Sequence, residues 1–152
     1  VITRSTGVLR DVLTTATTEC RLRGDALLGN EHLLLALLHD PTLAPLWGER
    51  TADEGRRVLS AIDAEALRSV GVEPVDLPVA AVPGIERHLD LSHGAKSTLE
   101  TAQRTAKARR SRKMEARDIL QALLLVGGPD VVRELIERLG IDPTKLLNEL
   151  TA

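Results

Sequence analysis

Gly29-Asn30-Glu31-His32-Leu33-Leu34-Leu35-Ala36-Leu37-Leu38 is the stretch that decides the fold. Leu33 to Leu38 is the longest apolar run in the chain. It is far short of the roughly 20 residues of a membrane span. Wound as a helix, it is apolar on every side, so it must be surrounded by other elements rather than lie on a surface. Asn30 reads as the N-cap, and Glu31 in the first turn complements the positive end of the helix dipole. A buried central helix implies that its neighbours are amphipathic and face inward.

Working outward, the preceding segment supplies one such neighbour. Ser5 or Thr6 caps it, Val8, Leu9, Val12, Leu13, Ala16 and Cys20 form a stripe at helical spacing, and Gly24 stops it. After the central helix, Pro41 and Pro45 break the pattern. A third helix is predicted from Asp53 to Ile62, and Asp63 starts a short fourth one to Val70. Residues 71–89 hold Pro74, Pro78, Pro83, Gly71 and Gly84, and read as an extended, ordered linker. Helices then resume. Ser92 caps a long one, a second lies near Ala116 to Val126, Pro129 opens a third, and Asp142-Pro143 starts a fourth.

The order is therefore repeated. Ser5-Thr6 aligns with Leu91-Ser92, and Glu31-His32-Leu33-Leu34 with Arg117-Asp118-Ile119-Leu120, both 86 positions apart. Ile62-Asp63 aligns with Leu139-Gly140 at 77, which places about nine extra residues of the first half around Pro41 to Thr51. The expected architecture is all-α: two tandem pseudo-twofold four-helix repeats, 1–70 and 90–152, in a single domain. No β-sheet is expected.

Composition narrows the function. Trp47 is the one aromatic residue, which argues against base-stacking readers of RNA or single-stranded DNA. The net charge of −2 gives no global field toward nucleic acid or membrane. A lone Cys20 excludes an internal disulfide and suits a reducing, cytoplasmic setting. His32, His39, His88 and His93 have no metal-ligand spacing, so no metal or cofactor is expected. No Gly-x-Ser-x-Gly elbow and no Gly-x-x-x-x-Gly-Lys-Ser/Thr loop occur, so neither a hydrolase nor an ATPase module is read.

Gly24 followed by Gly29-Asn30-Glu31-His32-Leu33-Leu34-Leu35-Ala36-Leu37-Leu38 resembles the signature of the Clp N-terminal repeat, found at the front of ClpA- and ClpC-type unfoldases. His88-Leu89-Asp90-Leu91-Ser92, with Ala95-Lys96 and Leu99-Glu100, resembles the start of the second repeat of actinobacterial ClpC N domains. The resemblance covers nearly the whole chain. It implies a non-enzymatic domain, monomeric in isolation, that captures protein substrates and adaptors. It also implies phosphoarginine recognition and binding of cyclic peptides such as cyclomarin. The chain departs from the family pattern at Ile2, Ser5 and Leu91, where Phe is usual, and at Arg117-Asp118, where Glu-His is usual. This drift suggests a copy kept for binding rather than for feeding a motor, either as a substrate or adaptor receptor or as a free-standing decoy that sequesters such ligands.

On that resemblance, Thr6 and Glu31 form a phosphoarginine site in repeat one. The carboxylate takes the guanidinium, and hydroxyl and backbone N–H groups take the phosphate. The alternative is that Glu31 and Thr6 only stabilise their helices. Arg117 repels an arginine side chain, so repeat two carries no such site. Ile2, Arg10, Leu13, His88, Leu91, Lys96 and Glu100 match the cyclic-peptide groove; the alternative is an ordinary seam between repeats. Arg104, Lys107, Arg109, Arg110, Arg112 and Lys113 crowd one helix end. That suits the helix dipole, an acidic protein partner, or, as the competing function, a helical DNA-associated regulator.

Overall fold

The structure is a computed structural model and describes residues 6–74, 89–111, 113–125 and 131–152. Its helices are α1 (Thr6–Arg23), α2 (Asn30–Leu38), α3 (Ala44–Trp47), α4 (Ala52–Ser69), α5 (His93–Ala108), α6 (Ala116–Leu125), α7 (Val131–Arg138) and α8 (Pro143–Thr151). The fold is all-α. Most of the segment read as a linker, like Pro129, lies outside the described residues.

The apolar run behaves as its composition demands. Every residue of α2 except Glu31 is buried. Helices α1 and α4 of its own half pack on it, and so do α5, α6 and α7 of the other half. Trp47 is buried at the far end of α2, and its indole N–H donates to the Leu37 carbonyl at 3.0 Å. That satisfies one of the carbonyls a helix leaves open at its C-terminus.

The duplication is visible residue by residue. Helix α1 buries Leu9, Val12, Ala16 and Cys20, and α5 buries Ala95, Thr98, Ala102 and Ala106, each pair 86 positions apart. Leu33, Leu34, Ala36 and Leu37 of α2 correspond likewise to Ile119, Leu120, Ala122 and Leu123 of α6, all buried. The ends of α1 and α5 also match. The Gly24 N–H bonds the Arg21 carbonyl and the Asp25 N–H that of Cys20. The Arg110 N–H bonds the Lys107 carbonyl and the Ser111 N–H that of Ala106. Both turns require a left-handed residue, Gly24 at φ 73° and Arg110 at φ 59°.

Four details differ from the sequence reading. First, Asp63 does not start a new helix. Helix α4 runs unbroken through it, since no Gly or Pro interrupts residues 56–69, and the Asp63 carboxylate pairs instead with Arg23. Second, the later offset is 91, not 77. Thr51 and Asp142 cap α4 and α8, and buried Ala52, Gly55 and Leu59 correspond to buried Pro143, Leu146 and Leu150. The extra residues therefore belong to repeat two, whose α7 is longer than α3. Third, the N-cap of α2 is Gly29, and Asn30 is its first helical residue. Fourth, a two-residue parallel ladder joins β1 (Leu27–Leu28) to β2 (Asp90–Leu91), pairing Leu27 with Asp90 and Leu28 with Leu91. The Ser92 N–H extends it by donating to the Leu28 carbonyl at 2.9 Å.

Candidate ligand-binding site

The entrance of α2 is built by a reciprocal cap. The Gly29 N–H donates to His32 Nδ1 at 2.8 Å. A backbone N–H is always a donor, so Nδ1 is the acceptor and Nε2 carries the ring proton. That proton goes to Asp25 Oδ2, 2.7 Å away. Asp25 in turn accepts from Arg23 Nε at 3.1 Å. The Glu31 carboxylate folds back over Gly29, where a Cβ would stand 2.5 Å from Oε2. Gly29 thus leaves room for the Glu31 oxygens above the open end of the helix. The Glu31 side chain is 29% exposed, so it remains within reach of a ligand.

Asp25, Glu31 and His32 bring one ligand atom each within 4.8 Å of one another, a grouping the His spacing did not reveal. A cation at His32 Nε2 would have to displace both the ring proton and the Asp25 bond. The observed network therefore suits a cap better than a metal site.

Repeat two uses the same cap with different chemistry. The Glu115 N–H donates to Asp118 Oδ2 at 2.8 Å, as Gly29 does to His32. Buried Asp118 is gripped by Arg109 through Nε at 3.0 Å and Nη2 at 2.6 Å. Arg117, at the position of Glu31, turns away and donates from Nη2 to the Leu150 carbonyl at 2.9 Å, closing the end of α8. The two positions that differ from the family motif are thus a cap with its own counter-ion and a helix clamp. The signal for the cap was legible in principle: a polar side chain three residues after the N-cap.

The other sequence candidates separate into two groups. Leu13 is half-buried and Arg10 exposed on α1. Both line an open groove of about 470 Å³ that also includes Leu9, Thr14, Thr17 and Arg21. Lys96 and Glu100 are exposed one turn apart on α5, and Leu91 is half-buried on β2. The described walls of the α1 groove include none of these three. Ile2, His88 and the side chain of Thr6 lie outside the described residues, as does Arg112.

Two buried groups escaped the sequence reading or were only half read. Glu19 is buried, and its carboxylate accepts from Arg56 Nε at 2.8 Å and Nη2 at 2.6 Å, and contacts His39 Nε2 at 2.9 Å. Burial alone would raise its pKa, but the bonds to Arg56 and His39 outweigh this and hold it below the ordinary 4.5. Cys20 is a core residue as its stripe position implied. Burial, helped by the nearby Asp25 and Glu31 charges, pushes its thiol up to about 11. It is therefore a poor nucleophile.

These features define an all-α double-repeat domain with the Clp N-terminal fold. Among solved structures, the chain is similar to the N-terminal domain of the caseinolytic-protease-associated chaperone ClpD from Arabidopsis thaliana. The TM-score is 0.69 at 21% identity, over 99% of this chain and 94% of that one. It is similar to a chain from structural work on a malarial protein secretion system (TM-score 0.64, 19% identity, 93% and 88% covered). It is also similar to the Hsp104 N-terminal domain from Candida albicans (TM-score 0.61, 15% identity, 95% and 87% covered). No family model and no curated protein matches the sequence. Among the described residues, no helix is long and apolar enough to cross a membrane.

Proposed function

We propose that this chain is a non-enzymatic protein-capturing domain of a Clp-type unfolding system, receiving substrates or adaptors on its surface. The observation that carries this reading is the fold shared, over nearly its whole length, with the ClpD N-terminal domain. The entrance of α2 supports a phosphoarginine site in repeat one: the Glu31 carboxylate is accessible above the helix end and would pair with the guanidinium, with Thr6 on the phosphate side. Arg117 is committed to the Leu150 carbonyl, so repeat two offers no equivalent carboxylate. Arg10 and Leu13 in the apolar groove on α1 support a site for a cyclic peptide such as cyclomarin, and Leu91, Lys96 and Glu100 are assigned to the same ligand on the resemblance. Ile2 and His88, outside the described residues, are assigned to that ligand on the resemblance alone. A receptor or decoy that holds such ligands in the cytoplasm, as a monomer, is the role we assign.

Titration calorimetry with a phosphoarginine peptide tests the first site. Heat with the unmodified protein that vanishes in Glu31→Ala and persists in Arg117→Ala is the expected result. No heat with the unmodified protein removes phosphoarginine from the reading. A rise in melting temperature with cyclomarin tests the second site, because a ligand of the native state must stabilise it.

A further inference from the structure

Six of the chain's twenty cations crowd into residues 104–113, and residues 101–114 contain no acid. The rest of the molecule is left with 14 Lys and Arg against 22 Asp and Glu. Arg104, Lys107, Arg110 and Lys113 are exposed, and none of them makes an ion pair among the described residues. The helix dipole accounts for cations in the last turn of α5. It does not account for Arg110.

Arg110 occupies the left-handed position that ends the helix, at φ 59°. The matching position of repeat one is Gly24, which adopts φ 73° without steric cost. A side chain is present in repeat two where glycine serves better. Its chain neighbours are hydrogen-bonded in place. Arg109 clamps Asp118 with two hydrogen bonds, and Ser111 Oγ donates to the Lys113 carbonyl at 2.9 Å. The Arg110 N–H also donates to the Lys107 carbonyl at 2.9 Å, which keeps Arg110 next to Lys107 at the helix end. Spacings of four, four and three residues put Lys96, Glu100, Arg104 and Lys107 on one outward stripe of α5. The stripe is about 16 Å long.

We infer that the C-terminal end of α5 and the α5–α6 turn form an electrostatic docking surface for an acidic segment of a partner protein. The inference rests on reading the chain as a protein-capturing domain, and adds the partner's chemistry at the end of α5 away from the Lys96 and Glu100 pair. A segment lying along α5 meets the mixed pair Lys96 and Glu100 first and the bare cations last, so its carboxylates belong at the α5 C-terminal end. A nucleic-acid duplex fits less well. Tight binding there engages a run of about six to ten phosphates, and the excess of acids in the rest of the chain, 22 against 14 cations, disfavours a long polyanion.

The test is fluorescence anisotropy with a labelled octaglutamate peptide, in parallel with a short DNA duplex, at about 50 and 200 mM salt. The unmodified protein is expected to bind the peptide more tightly than the duplex, with affinity falling as salt rises. Arg104→Glu with Lys107→Glu should weaken peptide binding about tenfold. Arg110→Gly should weaken it severalfold while leaving the melting temperature equal or higher, since it restores the residue of repeat one. A lower melting temperature in Arg110→Gly would make Arg110 a structural residue and overturn the inference. So would peptide binding indifferent to all three substitutions, or tighter binding of the duplex. Failure of the phosphoarginine and cyclomarin titrations with octaglutamate binding intact would sink the earlier reading of those sites and leave this surface supported.

Discussion

Thr98 and Asn30 join the two repeats by a buried hydrogen bond, Thr98 Oγ1 donating to Asn30 Oδ1 at 2.8 Å. At the mirrored place, 86 positions away, stand Val12 and Ala116, both buried and apolar. One side of the seam is polar and the other is not. Removing one partner of a buried pair costs about 1–3 kcal/mol, whereas replacing both with apolar groups is nearly neutral. Thr98→Val should therefore destabilise by about that amount in urea unfolding, and Asn30→Ala with Thr98→Val should recover part of the loss. A double variant whose loss equals the sum of the single ones would show that the two side chains do not act as a pair.

Glu19 makes stability depend on acid. Its folded pKa is lowered, so its contribution is complete above the ordinary 4.5 and disappears as pH falls through the folded value. Glu19→Gln should cost about 1.5–3 kcal/mol at neutral pH, the worth of hydrogen bonds to a charged group. It should also flatten the decline in melting temperature below pH 4.5. An unchanged acid limb would mean that other carboxylates carry it.

Leu34 and Leu120 are fully buried counterparts in α2 and α6. Either one changed to alanine should cost roughly 2–5 kcal/mol, read from denaturant midpoints. A cost below 1 kcal/mol at Leu34 would contradict a central α2.

Gly29 offers a separation of stability from binding. An alanine Cβ there meets only the carboxylate end of Glu31, a flexible group, so Gly29→Ala should keep most of the melting temperature. It should still displace Glu31 and weaken any guanidinium ligand. Retained phosphoarginine affinity in this variant would detach Glu31 from the site.

The Cys20 thiol, pushed up to about 11 and fully buried, should resist a thiol reagent at neutral pH until the protein opens. Its labelling rate then reports unfolding. Fast labelling of the native protein would show that α1 detaches locally.

What could be read beforehand followed from local chemistry. The run Leu33 to Leu38 could only be buried, and Gly24, Ser92, Asp142-Pro143 and Gly140 marked helix ends that the structure keeps. The errors came where tertiary partners decide. Asn30 is as good a cap as any residue, yet its side chain is claimed by Thr98, 68 positions away, and Gly29 takes the cap. Asp63 suggested a break because its partner Arg23 was invisible from its neighbours. Glu19 has Arg23 four positions on in the same helix, yet Arg23 turns to Asp25 and Asp63, and the partner of Glu19 is Arg56, 37 positions on. Of the candidate site, the Glu31 position was legible from a motif. The relation of α1 to α5 was not, since no periodicity within one helix reports on the distance to another.

Helix α2 touches elements of both halves on all its sides. Neither half then owns a core that it could keep without the other. Arg50 and Arg138 add crosswise ties, the first donating to the Leu139 and Gly140 carbonyls and the second to Glu65. Unfolding should accordingly be one cooperative event, with calorimetric and van't Hoff enthalpies that agree. A ligand held by one repeat would then stiffen its twin as well, which lets an ancient duplication respond as a single body.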